Sequence, residues 1–105
     1  MNFESLSHSA RTILLTRIAH LLTVCARSTY EPGTENIAEP RVLRGYNELM
    51  HRVTSCISMH VEGDKTFPLE EIIKMMEDFG RTFDQTNEIG WVLKSAQERP
   101  LPMAH

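Results

Sequence analysis

Residues 13–26 read ILLTRIAHLLTVCA, and the fold follows from how this run wraps around a helix. At the angular step of an α-helix, Leu14, Ile18, Leu21 and Cys25 fall on one line. Leu15, Ala19, Leu22 and Ala26 form a second line beside it, and Ala10, Ile13 and Val24 widen the apolar arc on its other flank. The arc covers well over half the circumference, whereas an ordinary surface helix shows a stripe of roughly 100°. Thr12, Thr16, Thr23 and Arg27 occupy most of what remains. Such a helix must be covered on more than one side.

The surrounding sequence supplies partners for one side. Residues 40–62 place Leu43, Tyr46, Met50, Val53, Ile57 and Val61 on one stripe, edged by Val42, Leu49 and Cys56. Arg44, Glu48, Arg52 and Ser55 lie opposite. Pro40 suits the first turn, where its missing N–H costs nothing, and Gly63 supplies the stop. A third helix is expected from about Pro68, capped by Thr66, to about Asp84, with Leu69, Ile72, Ile73, Met76, Phe79 and Phe83 on one face. Glu70 with Lys74 and Glu77 with Arg81 are pairs in the favourable i, i+4 orientation. Gly80 falls on the apolar side, where it either admits a close neighbour or ends the helix early. A short fourth helix, capped by Thr86 or Asn87 and running to about Gln97, carries Ile89, Val92, Leu93 and Ala96 at helical spacing. Gly90 weakens it by about 1 kcal/mol relative to Ala, and Trp91 points off its stripe.

The first helix is expected to start near Asn2 or Ser5, both good caps, and to end near Ser28. The connection 30–40, YEPGTENIAEP, opens with a type II turn signal at Glu31-Pro32-Gly33-Thr34 and is pinned to the core by Ile37. The fold class is therefore all-α: three main antiparallel helices plus a short fourth C-terminal helix, bundle-like and dimeric. One domain spans residues 1–98, followed by a loose tail, 99–105, that begins with prolines at 100 and 102. The dimer expectation rests on the line Leu15, Ala19, Leu22 and Ala26. Companion helices cover one side of the first helix, a second copy covers this line, and a self-complementary patch closes as a two-fold dimer.

Composition excludes several classes. A membrane span needs about 20 mainly apolar residues, and Arg17 and His20 interrupt the run. A secretion leader fits no better, because Glu4 replaces a basic start and Cys25-Ala26-Arg27 is a poor cleavage site. Cys25 and Cys56 sit within helices, as buried thiols of a reducing compartment do, so the chain is read as cytoplasmic. The net charge of −3 divides unevenly, +1 over residues 1–61 and −4 over residues 62–105. No basic cluster is dense enough for the phosphate contacts that nucleic-acid affinity requires, and the acidic third and fourth helices make a poor DNA-reading pair.

The chemistry-bearing motifs are few. Glu48-Leu49-Met50-His51 has the E-x-x-H spacing that di-iron bundles use, but both residues fall outside the apolar stripe, and such a site needs ligands facing inward. His8, His20, His51 and His60 share no ligand-like spacing and no C-x-x-C occurs, so no metal or other cofactor is expected. No nucleophile elbow or phosphate loop is present, and the chain reads more readily as a non-enzyme. A polar ladder, Arg44, Glu48 and Arg52, runs beside Asn47 and His51, with Arg41 at a helix start that favours anions. With Arg27 and Tyr30, where the connection folds back, Arg41, Arg44, Asn47 and His51 form the candidate site for an anionic metabolite. The leading expectation is a non-enzymatic interaction or regulatory protein acting as a homodimer or through a partner helix. The alternative is a small-molecule binding domain with a pocket between the 30–40 connection and the second helix.

Overall fold

The computed structural model describes residues 6–28, 40–61 and 69–98. They form four helices: α1 (His8–Ser28), α2 (Pro40–Val61), α3 (Leu69–Thr82) and α4 (Thr86–Gln97). Each helix packs on the next in the chain, and α4 packs back on α1, so the four close a ring around one core. The expected turn at 31–34, the pin Ile37, the cap Thr66, the stop Gly63 and the tail 99–105 lie outside the described residues.

α1 begins later than the caps Asn2 and Ser5 would have it. The Ser7 hydroxyl accepts the Ala10 N–H at 3.1 Å, and the Ser7 carbonyl accepts the Arg11 N–H at 3.0 Å. The Ser7 side chain thus satisfies one of the donors that a helix start leaves open, and its carbonyl accepts the first bond of the helix. Both apolar lines of α1 are used: Leu14, Leu15, Ile18 and Leu22 are fully buried, and Cys25 and Ala26 nearly so. α2 and α4 provide this cover from within the same chain. The need for cover on two sides is real, but a second copy is not required to meet it. On the remaining face the threonines satisfy themselves. The Thr16 hydroxyl donates to the Thr12 carbonyl at 2.8 Å and that of Thr23 to the Ala19 carbonyl at 3.0 Å.

In α2 the buried set is Val42, Tyr46, Leu49, Val53 and Cys56. The expected centre of the stripe, Tyr46 and Val53, is fully buried, while Leu43, Met50 and Ile57 of the same stripe are only half-buried against the core. The face is rotated because α2 packs between α1 and α3. On the α1 side Thr23 Oγ1 stands 3.3 Å from the Met50 sulfur. On the α3 side Gly45 lets Phe79 come in so close that a Cβ at Gly45 would lie 2.3 Å from the Phe79 ring. Phe79 meets Tyr46 edge-on, with centroids 4.7 Å apart, and Phe83 at 5.1 Å. These aromatic contacts join α2 to the end of α3.

The corner between α3 and α4 is fixed by backbone geometry. α3 ends at Thr82, before the expected Asp84, because Asp84 adopts a left-handed φ of 55°. The Gln85 N–H then reaches back to the Gly80 carbonyl at 2.7 Å, the long-range bond of a Schellman stop. Gly80 therefore does not end the helix. It is buried, and its missing side chain lets Thr86 and Ile89 approach. Gln85, rather than Thr86 or Asn87, occupies the cap of α4, and its carbonyl accepts the Ile89 N–H at 2.9 Å. Its side chain is engaged elsewhere, because the Tyr46 hydroxyl donates to Gln85 Oε1 at 2.7 Å.

Candidate functional site

Five of the six residues expected to hold an anionic ligand are described, and residues 30–39 of the connection expected to wall their pocket lie outside the described residues. Arg44, Asn47 and His51 are exposed on the outward face of α2, Arg27 is exposed near the end of α1, and Tyr30 lies outside the described residues. Arg41 is exposed too, with its guanidinium over the Phe83 ring at 5.4 Å from the centroid. A groove of about 360 Å³ does border α2, but on the α3 side, lined by Gly45, Glu48, Leu49, Arg52, Met75, Asp78 and Phe79. Its one cation, Arg52, stands 3.6 Å from Glu48, and its other carboxylate, Asp78, pairs with Arg81. Arg81 thus turns to Asp78 rather than to the expected Glu77. A mouth with two carboxylates and one paired arginine does not favour an anion. Glu48 and His51 are both exposed, and among the described residues no three His, Cys, Asp or Glu side chains gather where a metal would need them.

The four residues expected at the dimer contact are placed differently too. Leu15 and Leu22 have no accessible surface, Ala26 keeps 7%, and Ala19 is half-buried. A buried leucine has nothing to offer a second copy, so this line belongs to the core. The flank that the sequence left at the margin is the part of α1 that stays open. Ile13 is 36% exposed and Val24 40% exposed, with Arg17 and His20 between them at helical spacing.

This flank borders α4, and the two helices form a seam. At one end, Thr16, Arg17, His20 and Leu21 share a groove of about 480 Å³ with Ser95 and Glu98. There the Arg17 guanidinium donates to the Ala96 carbonyl at 3.1 Å, filling an acceptor that the end of α4 leaves open. At the other end, Val24 and Cys25 share a groove of about 300 Å³ with Asn87, Glu88 and Trp91. Trp91 is 44% exposed, and with Ile13 and Val24 it makes up the large exposed apolar side chains among the described residues. α1 carries Arg17, His20 and Arg27 on its outward side and has no acidic residue along its length, while α4 and its C-cap bring Glu88 and Glu98 to the seam, with the exposed Lys94 between them in sequence.

Beneath the seam lies a buried polar cluster. Tyr46 is fully buried, and its single proton goes to Gln85 Oε1. Cys25 shares a hydrogen bond with Tyr46 in the same cluster. Burial, then the Glu88 carboxylate, push the Cys25 thiol up from its ordinary value, with the Tyr46 hydrogen bond acting the other way. Burial, followed by the Cys25 and Glu88 charges, holds the Tyr46 phenol neutral well above its usual range. Burial alone raises Cys56. Both cysteines are buried thiols outside any disulfide, as their helical placement suggested. A thiol kept protonated is a poor nucleophile, and the cluster ties α1, α2 and the start of α4 together.

The chain matches no known family model, curated protein or solved structure. No helix among the described residues is long and apolar enough to cross a membrane. The sequence missed the seam because it involves two helices. Each half was visible, Ile13 and Val24 beside the main lines of α1 and Trp91 off the stripe of α4, but periodicity within one helix cannot show that they meet.

Proposed function

We propose that the chain is a non-enzymatic interaction module that docks a helical surface, from a second copy or a partner, along the α1–α4 seam. The observation that supports this is the exposure of Val24 and Trp91 on either side of one groove. Exposed apolar residues scattered singly are normal, but an adjoining set within a polar rim is the usual composition of a binding surface. In this reading α1 and α4 are antiparallel neighbours in an antiparallel bundle, since Arg17 reaches Ala96 while Cys25 sits by Glu88. A cytoplasmic setting accords with two buried thiols that form no disulfide.

The test uses an anionic apolar dye, anilinonaphthalene sulfonate, on dilute protein. Trp91 is the sole tryptophan, so energy transfer from it places bound dye at the seam. The expected result is transfer in the parent protein and its loss in Val24→Glu, with circular dichroism unchanged. Dye binding that ignores Val24→Glu, or no binding at all, would overturn the reading.

A further inference from the structure

The α1 rail of the seam has no acidic residue, and the α4 rail is net acidic, with Glu88 and Glu98 on either side of Lys94; this restricts what can lie on it. A uniformly acidic partner, or an anionic membrane surface, would suit Arg17 and Arg27 on α1 but meet Glu88 and Glu98 on α4. A uniformly basic partner would have the reverse difficulty. The complement of this surface is one that also carries a basic and an acidic rail side by side, and the chain's own seam is such a surface. We infer that the occupant is a second copy of this chain, docked seam to seam about a two-fold axis parallel to the helices; the inference rests on the interaction reading above.

Geometry selects that axis from two. Two copies stacked face to face must be related by an axis lying in the plane between them. An axis across the helices would set α1 on α1, basic rail on basic rail. An axis along the helices sets α1 of each copy on α4 of the other. Arg17 already lies level with Ala96 within one chain, and Val24 and Cys25 with Glu88. An axis along the helices preserves those levels, so Arg17 of each copy comes opposite the region of Glu98 in the other, and Val24 comes opposite the region of Trp91. Unlike charges meet at the rim and apolar side chains meet in the middle.

The size of the patch sets the strength. The 12 residues of α4 span about 18 Å at the helical rise, and two adjacent helices present a face about 20 Å wide. Each copy would bury on the order of 400 Å², half of what a standard stable interface takes from each partner. The dimer is therefore transient, and it dissociates on dilution.

The experiment is a set of light-scattering dilution series on the parent, on Arg17→Glu, on Glu98→Arg and on an equal mixture of the two variants. The parent should pass from monomer to dimer as concentration rises, and added salt should push it back. Each variant alone brings like charges together at two symmetric sites and should weaken the dimer about tenfold. In the mixture every such site pairs Glu with Arg, so dimerisation should return. A parent that stays monomeric at every concentration would overturn the second copy as occupant, and the seam would still stand if it binds the dye. A dimer indifferent to both variants, or a mixture no better than its components, would overturn the crossed arrangement. Should Arg17→Glu fail to fold, Glu98→Arg and the salt series each decide: a dimer unmoved by either contradicts the proposal.

Discussion

The α2–α3 and α1–α4 contacts join helices of the same ring but are finished differently. Between α2 and α3, Gly45 admits Phe79, the apolar floor residues Leu49 and Phe79 keep only 6% and 7% exposure, and the rim charges pair locally as Arg52 with Glu48 and Arg81 with Asp78. Between α1 and α4, Val24 and Trp91 stand 40% and 44% exposed, and the rim is basic along α1 and net acidic along α4. The first contact is complete within one chain. The second has the ingredients of a contact still to be made. Buried apolar area contributes to stability wherever it lies, so what separates a core seam from a docking seam is the area left over.

That contrast can be broken most forcefully at Leu22. If the line Leu15–Ala26 belongs to the core, Leu22→Ala should cost about 2–5 kcal/mol in urea unfolding. The loss should also be the same at every protein concentration. A loss that grows on dilution would return Leu22 to an interface. Gly45→Ala probes the finished contact itself. The new Cβ would meet a Phe79 ring already held by Tyr46 and Phe83, and overpacking of this kind costs about 1–3 kcal/mol, partly offset by the better helix propensity of Ala. Its midpoint in thermal unfolding should fall. Gly90→Ala is the opposite case. Nothing lies within 4 Å of the added Cβ, so the propensity gain, up to about 1 kcal/mol, should appear undiminished as a raised midpoint.

The buried cluster under the seam makes a pH prediction. Cys25, Cys56 and Tyr46 are all raised from ordinary values of 9.0, 9.0 and 10.0. The unfolded chain loses these protons first as pH rises, so it binds fewer protons than the folded chain, and stability falls. The contribution is intact below pH 9 and should decline above it in a pH series of urea midpoints. Tyr46→Phe should flatten the part of that decline that begins near 10.0. The smallest effect on stability belongs to the open seam. Val24→Glu should change the unfolding free energy by no more than about 0.5 kcal/mol, as exposed substitutions do.

How much of this was legible in the sequence follows from what periodicity can report. The four helices were, because their apolar spacing, prolines and glycines all act locally. The demand of α1 for cover on two sides was also visible. Which neighbour supplies that cover was not, since α4 returns to α1 across most of the chain, and Leu15, Leu22 and Ala26 look the same beside α4 or beside another copy. The rotation of the α2 face was hidden for a similar reason: packing between two neighbours shifts the buried centre toward Leu49 and Cys56. The start of α4 was displaced by one residue because the left-handed Asp84, not a favourable cap side chain, sets the corner. The anion site expected around Arg41, Arg44, Asn47 and His51 draws these residues from one helix, and the connection expected to wall it lies outside the described residues.

The most direct test of the seam account is quenching of Trp91 fluorescence by acrylamide across a dilution series. Trp91 should be readily quenched in dilute protein and become protected as concentration rises, with Val24→Glu abolishing the protection. Equal quenching at every concentration, while the mass in solution doubles, would place the assembly elsewhere and contradict the account.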